Sequence, residues 1–190
     1  MRTIDIQKTG IADLDVDAVF CPMNVRLACD SEAYESIRKS AGHEEIQADF
    51  GNGRHCAAGW VAIKPSNGLP FRFMICLAGS KQGIQDGPTV KEYRSIHSAY
   101  YTALELAAEN GCASVGMPLI SAESEDDMET DWDWATMACG DFLDSHPEIQ
   151  TDIVFAVTDD RTRRLGHESF FTPMPDAMQS WTRRSAQSTI

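Results

Sequence analysis

Two short apolar runs that stop abruptly at polar residues constrain this chain more than anything else in it. They are Val16-Asp17-Ala18-Val19-Phe20-Cys21-Pro22-Met23-Asn24 and Ala113-Ser114-Val115-Gly116-Met117-Pro118-Leu119-Ile120-Ser121. Near-continuous apolar runs of this length read as strands buried on both faces of a sheet. Each is followed by a loop and then a helical pattern. In an open α/β sheet, ligands settle outside the carboxyl ends of such strands. The segments ending at Asn24 and Ser121 are therefore expected to lie side by side and open onto one crevice.

The rest of the chain fills in around that pair. Residues 2–7 alternate weakly and suit an edge strand, and Gly10 to Leu14 reads as a turn. The first strong strand is expected from Asp15 to Cys21. Pro22 should end it, because proline has no N–H to give to a central ladder. Ala33, Ile37 and Ala41 fall at helical spacing between a cap at Asp30 or Ser31 and a stop at Gly42. Trp60–Ile63 and Phe71–Leu77 read as an antiparallel pair joined by a turn from Pro65 to Pro70. A long helix runs from Pro88 to Asn110, with Tyr93, Ile96, Tyr100, Ala103, Leu104 and Ala107 on one apolar face and Gly111 closing it. A further helix over Trp132–Leu143 and a strand over Ile153–Val157 follow. The order predicts a mixed α/β sheet sandwiched by helices. A single domain is expected over 1–172, with a polar tail over 173–190.

At 190 residues the chain suits one domain that buries about 70% of its unfolded surface. Its formal net charge of −13 repels phosphate backbones and anionic lipid, except at a small basic cluster of Arg161, Arg163 and Arg164. Nucleic acid and membrane are therefore poor candidates for partners. No run approaches the roughly 18 apolar residues of a membrane span. The opening Met1–Ile6 carries an acid where a leader would need an apolar core, so a cytoplasmic location is expected. The six cysteines include no Cys-x-x-Cys pair and are expected to be reduced. His55-Cys56 has no partner at ligand spacing, so no zinc site is expected.

Six stretches, in register over roughly residues 4–160, resemble the macrodomain family, which binds ADP-ribose and its derivatives. Thr9-Gly10-Ile11-Ala12-Asp13-Leu14 stands where the family has Gly-Asp-Ile-Thr. Asp17 to Asn24 resembles Asp-Ala-Ile-Val-Asn-Ala-Ala-Asn, with Asn24 matching the second asparagine. Ala41-Gly42 falls at the family's Ala-Gly. Cys56-Ala57-Ala58-Gly59 resembles Cys-Pro-Thr-Gly. Phe73 to Gly79 occupies the place of Tyr-Ile-Ile-His-Thr-Val-Gly, and Met117 to Ser121 that of Phe-Pro-Ala-Ile-Ser. The resemblance implies a three-layer α/β sandwich, a mixed central sheet with helices on both faces. It also implies a ligand site drawn from Ile11, Asn24, Cys29, Asp30, Ser31, Tyr34, Ser121, Ala122, Glu123 and Ser124.

The departures from that pattern fall at the site itself. The family's adenine-binding acid falls at Gly10, leaving Ile11 to offer its backbone. The glycine-rich first loop falls at Cys29-Asp30-Ser31-Glu32, where side chains stand in the way of backbone amides that would approach phosphate. The acid that works with the asparagine in MacroD-type hydrolases falls at Tyr34. The second loop's Ser-Thr-Gly falls at Ser121-Ala122-Glu123. From Glu123 to Asp133, seven of eleven residues are acids. A like pair at about 5 Å costs about 3 kcal/mol at an effective dielectric of about 20, before screening.

That acidic run has three readings. It is a solvated loop with Thr130 or Asp131 capping the next helix. Or its acids hold Mg²⁺, the one cofactor the sequence raises, with no other metal expected. Or Glu125 or Asp126 is a catalytic carboxylate, since terminal ADP-ribose protein glycohydrolases pair an acid in this loop with a lysine near the position of Lys81. Asn24 suits a ribose hydroxyl or a turn cap, and Ser121 a phosphate oxygen or a strand-end carbonyl. Trp132 and Trp134 can stack on a ligand ring or pack in the core. Phe155 and Thr158-Asp159 can line an adenine slot. Cys29 at a helix start is a candidate reactive thiol, and His97 is expected to be structural or exposed.

Three functions follow. The first is a module that binds ADP-ribose or a related nucleotide, free or on an ADP-ribosylated protein, with reduced or absent catalysis. The second is a hydrolase that removes ADP-ribose from protein or acetyl esters, with Asn24, Lys81 and Glu125 as candidate catalytic residues. The third is a degenerate fold used for protein interaction.

Overall fold

The computed structural model describes residues 3–23, 35–37, 39, 61–66, 69–78, 90–120 and 128–171. Its strands are β1 (Ile4–Lys8), β2 (Ala18–Met23), β3 (Val61–Pro65), β4 (Phe73–Ala78), β5 (Ser114–Pro118) and β6 (Asp152–Val157). The helices are α1 (Val90–Glu109), α2 (Met128–Ser145) and α3 (Asp160–Phe171), with a 3₁₀ turn at Ile11–Asp13. The six strands form one sheet in the order β1-β6-β5-β2-β4-β3. All neighbours run parallel except β3, which pairs antiparallel with β4. Five carboxyl ends therefore point the same way, which is the side on which an α/β sheet takes a ligand.

Alternation along the strands sends side chains into two separate cores. Ala18, Phe20, Ile75, Val115, Met117, Ile153 and Phe155 face one way, into the core shared with α1 and α2. Val19, Cys21, Met74, Cys76 and Ala156 face the other, against Ile11, Leu14, Val16 and Ile37. Ile37 belongs to the helical residues Glu35–Ile37. The result is the three-layer sandwich expected from the sequence.

The chain passes from edge strand β1 to central strand β2 across the second face. Gly116 permits that crossing, because a Cβ there would sit 2.7 Å from Leu14 Cδ1 and 3.2 Å from Val16 Cγ2. At the amino ends, Asp17 ties β2 to both neighbours. Its Oδ2 accepts from the Ala113 amide at 2.7 Å, and its own amide donates to Ser114 Oγ at 3.0 Å. Its carbonyl accepts from the amides of Arg72 at 2.8 Å and Phe73 at 3.1 Å.

α1 ends as its sequence predicts. Gly111 takes a φ of +68°, and the Gly111 and Cys112 amides donate to the Ala108 and Ala107 carbonyls. This doubly bonded stop needs a residue at ease in the left-handed region. Ile96, Tyr100, Ala103, Leu104 and Ala107 are all buried. The burial of Tyr93 is outside the described residues.

Three elements differ from the sequence reading. β2 runs through Pro22 to Met23, with Pro22 opposite Leu77 of β4. Its ladder to β5 ends at Val19 opposite Gly116, before Pro22 is reached. α2 begins at Met128 rather than Trp132, taking the end of the acidic run into its first turn, where acids suit the positive end of the helix dipole. α3 is a helix that the sequence reading lacks. Asp159 caps it by accepting from the Thr162 amide at 2.8 Å and the Thr162 hydroxyl at 2.6 Å. Residues 43–53 and 79–87 lie outside the described residues, as does the tail from 173.

α3 is drawn against the sheet by Gly166, where a Cβ would lie 2.7 Å from both Ile6 Cδ1 and Trp132 Cζ2. Neither neighbour is the loose end of a surface side chain, since both residues are fully buried. Gly166→Ala should lower unfolding free energy in urea by about 2 kcal/mol through overpacking. Unchanged stability would show that Trp132 is free to move aside.

Candidate functional site

The site follows from how β2 and β5 meet. β5 keeps pace with β6 from Ser114 to Pro118, and β2 with β4 from Ala18 to Met23. Between them, only Ala18 and Val19 pair with Val115 and Gly116. The two strands are fastened at the amino end by Asp17 and stop pairing toward the carboxyl end. This fork in the middle of a parallel sheet leads directly, in sequence, to Asn24 on one side and Ser121 on the other. Of the adjacency expected of those two segments, the structure shows Ala18 beside Val115 and Val19 beside Gly116.

Beside the fork, Thr9 donates from its amide to the Val157 carbonyl at 3.1 Å, holding the chain beyond β1 against the end of β6. The turn that follows buries the Ile11 side chain in the second core, so Ile11 can offer only its backbone. Gly10 adjoins it. A Cβ on Gly10 would meet Asp13 Oδ2 at 2.7 Å and Ser36 Oγ at 3.2 Å. The space of the acid absent from position 10 thus already holds the carboxylate of Asp13, whose residue is exposed.

The aromatic residues that the sequence offered as ligand contacts belong to the core. Trp132 is fully buried, with its ring 5.0 Å from Phe155 and 6.0 Å from Phe170. It is a core residue and stacks on no ligand. Phe155 is likewise core, and Trp134 packs half-buried against the same cluster. His97 is half-buried and structural, joining α1 to α2 through Asp141 Oδ2 at 2.9 Å.

The acidic run from Met128 onward is helix rather than loop. Asp131 is fully buried and lies inside α2, so neither it nor Thr130 is the cap expected of them. Burial pushes the Asp133 carboxyl above its ordinary range, and the Glu129 charge adds to the rise against the opposing Ser169 hydroxyl. Among the described residues no three His, Cys, Asp or Glu side chains converge on a point that would hold a metal ion. Cys21, Cys76, Cys112 and Cys139 are free thiols buried in the fold. No described helix is long and apolar enough to cross a membrane.

Asn24, Cys29, Asp30, Ser31, Tyr34, Lys81, Ser121, Ala122, Glu123, Ser124, Glu125 and Asp126 lie outside the described residues. Two residues near the site escaped the sequence reading. Asp13 was seen only as part of a turn, and Tyr100 only as part of an apolar face. A tyrosine on such a face is a signal in itself, because a buried phenol finds a hydrogen-bond partner.

Comparison with known proteins supplies a context for this geometry. The family model described as Macro domain matches residues 22–129. A macro domain-containing protein of Mesorhizobium japonicum is 34% identical over 119 residues, covering 62% of this chain. The chain spans 65% of that relative's length. The O-acetyl-ADP-ribose deacetylase of Citrobacter koseri is 26% identical over 180 residues, covering 91% of this chain and 97% of that protein. Among solved structures, the Oceanobacillus iheyensis macrodomain with ADP shares the fold with a TM-score of 0.76, at 20% identity over 90% of each chain.

Asp159, at the carboxyl end of β6, gives a pH test of this side of the sheet. The Thr162 hydroxyl and amide hold its carboxyl below the ordinary range, because the ionised form accepts both bonds. The cap's contribution is therefore present at neutral pH. It is lost as pH falls below the ordinary carboxylate value of about 4 and through the lower folded value. Asp159→Ala should cost about 1 kcal/mol at neutral pH and flatten the acid limb of the stability curve. A variant with an unaltered acid limb would remove the cap from this account.

Proposed function

This chain belongs to the macro domain family, and from that premise we propose that it binds ADP-ribose or a closely related nucleotide at the fork between β2 and β5. The observation that carries this reading is the fork itself. Two adjacent parallel strands pair at Ala18–Val115 and Val19–Gly116 alone, each runs on to a polar segment, and a nucleotide at their carboxyl ends would meet backbone and side chains from both. Asn24 would take a ribose hydroxyl and Ser121 a phosphate oxygen. Ile11 would offer its backbone, and Asp13 the carboxylate that Gly10 lacks, to the adenine amino group. Residues 29–31, Tyr34 and 122–124 would complete the contacts. The ligand arrives free or attached to an ADP-ribosylated protein, because a phosphate-linked sugar presents the same groups in either form.

The acidic run sets the affinity. Three of its acids, Glu129, Asp131 and Asp133, belong to α2, and Asp131 is withdrawn into the core. That removes Asp131 from the like charge that would oppose a diphosphate. Isothermal titration calorimetry with ADP-ribose up to about 1 mM should give saturable heat. Asn24→Ala, Ser121→Ala and Asp13→Ala should each weaken binding about tenfold, the loss of one hydrogen bond to a charged or buried group. Absence of heat, with and without Mg²⁺, would contradict the reading.

A second reading, removal of ADP-ribose from protein or acetyl esters, is favoured by the similarity to the Citrobacter koseri deacetylase across 91% of this chain. Lys81 and Glu125 would then be the catalytic pair, with Asn24 orienting the ribose. Lys81→Ala and Glu125→Gln should abolish turnover of an acetylated or protein-linked ADP-ribose while leaving ADP-ribose affinity within about threefold of wild type. Turnover that survives both changes would leave binding alone.

A further inference from the structure

The chain leaves β5 just before Ser121, and one buried hydroxyl governs how it leaves. Pairing with β2 has stopped at Gly116, while pairing with β6 lasts to Pro118 opposite Ala156. Beyond that point the ladder gives Ile120 no partner. Tyr100, midway along α1, supplies one. Its hydroxyl donates to the Pro118 carbonyl at 3.0 Å and accepts from the Ile120 amide at 2.6 Å. One oxygen thus bridges two backbone groups on either side of Leu119 and bends the chain off the sheet.

The phenol is well placed to hold that role. Tyr100 is fully buried, and its ring sits at 6.3 Å and 61° to Phe155, so it has no freedom to swing away. Burial pushes its pKa well above the ordinary value, with the nearby Asp131 charge adding to the rise. The hydroxyl therefore stays protonated and able to donate and accept at once. Asp131 lies in the first turn of α2, so Tyr100 stands between the two ends of the segment that runs from Ser121 to Asp127.

We propose that Tyr100 is a positioning residue for ligand binding: its hydroxyl fixes the path of Pro118–Ile120 as the chain leaves β5, at the carboxyl end where the ligand is proposed to bind. The effect on affinity rests on the ADP-ribose reading, whereas the effect on the backbone does not. Phenylalanine preserves the ring packing and removes only the bridge.

The experiment compares Tyr100→Phe with wild type by amide hydrogen exchange and by calorimetry with ADP-ribose. The Ile120 amide should exchange about tenfold faster or more, relative to Val115 and Met117 in the same strand, and ADP-ribose should bind about tenfold more weakly. Exchange of Ile120 in step with Met117, or affinity within about twofold of wild type, would overturn the proposal. A wild-type protein that gives no heat with ADP-ribose would refute the ligand reading, and the Ile120 exchange would still decide whether the hydroxyl sets the exit. Should the variant fail to fold, wild type decides. It should show a slowly exchanging Tyr100 hydroxyl proton with a nuclear Overhauser contact to the Ile120 amide, and its absence would overturn the bridge.

Discussion

Everything at the candidate site depends on the two-residue ladder between β2 and β5. A parallel pair needs few bonds to fix its register when something else fastens one end, and Asp17 does that. Its carboxylate holds the Ala113 amide and its carbonyl holds Arg72 and Phe73. With the amino ends pinned, the strands can stop pairing beyond Gly116 without losing alignment. The sheet is thus continuous at one end and forked at the other. A carboxylate in a strand-entry position, which reads in sequence as one more acid in an acidic chain, is what fastens β2 to β5 where their ladder is shortest.

The same economy appears on both faces. Gly116 lets Leu14 and Val16 lie against β5, so the crossing from β1 to β2 is short and delivers the turn at Gly10–Asp13 to the carboxyl side. On the opposite face Gly166 lets α3 settle on Trp132 and Ile6. Trp132, Phe155 and Phe170 then form a cluster of ring contacts, each worth about 1 kcal/mol beyond area burial. These contacts tie α2 and α3 to β6 in the core.

The sequence made plain those parts whose physics is local. The near-continuous apolar runs of β2 and β5 identified both strands and their polar ends, and the spacing from Ile96 to Ala107 with Gly111 beyond it identified α1. The antiparallel β3–β4 pair followed from its turn. What escaped was held by distant contacts. α3 is polar overall and carries Gly166 in its middle, so its narrow apolar side is easily passed over in the sequence, and its cap at Asp159 and its fit against Trp132 secure it in the fold. Trp132, standing in an acidic run, gave no sign that it would be wholly buried. At the site, Gly10 read as the loss of an acid, because that Asp13 folds back over the same space is a matter of turn geometry. The motifs in register conveyed the family, while most of the loop residues that would touch a ligand lie outside the described residues.

The account's central claim is that a nucleotide engages the carboxyl ends of β2 and β5 where their pairing has stopped. Backbone amide shift mapping of isotope-labelled protein titrated with ADP-ribose tests it most directly. The account requires the largest changes at Ile11, Met23, Leu119 and Ile120, with Asp17, Arg72, Ala113 and Ser114 at the fastened end left still. Changes gathered at the fastened end or on the outer face of α1, with the fork silent, would contradict it.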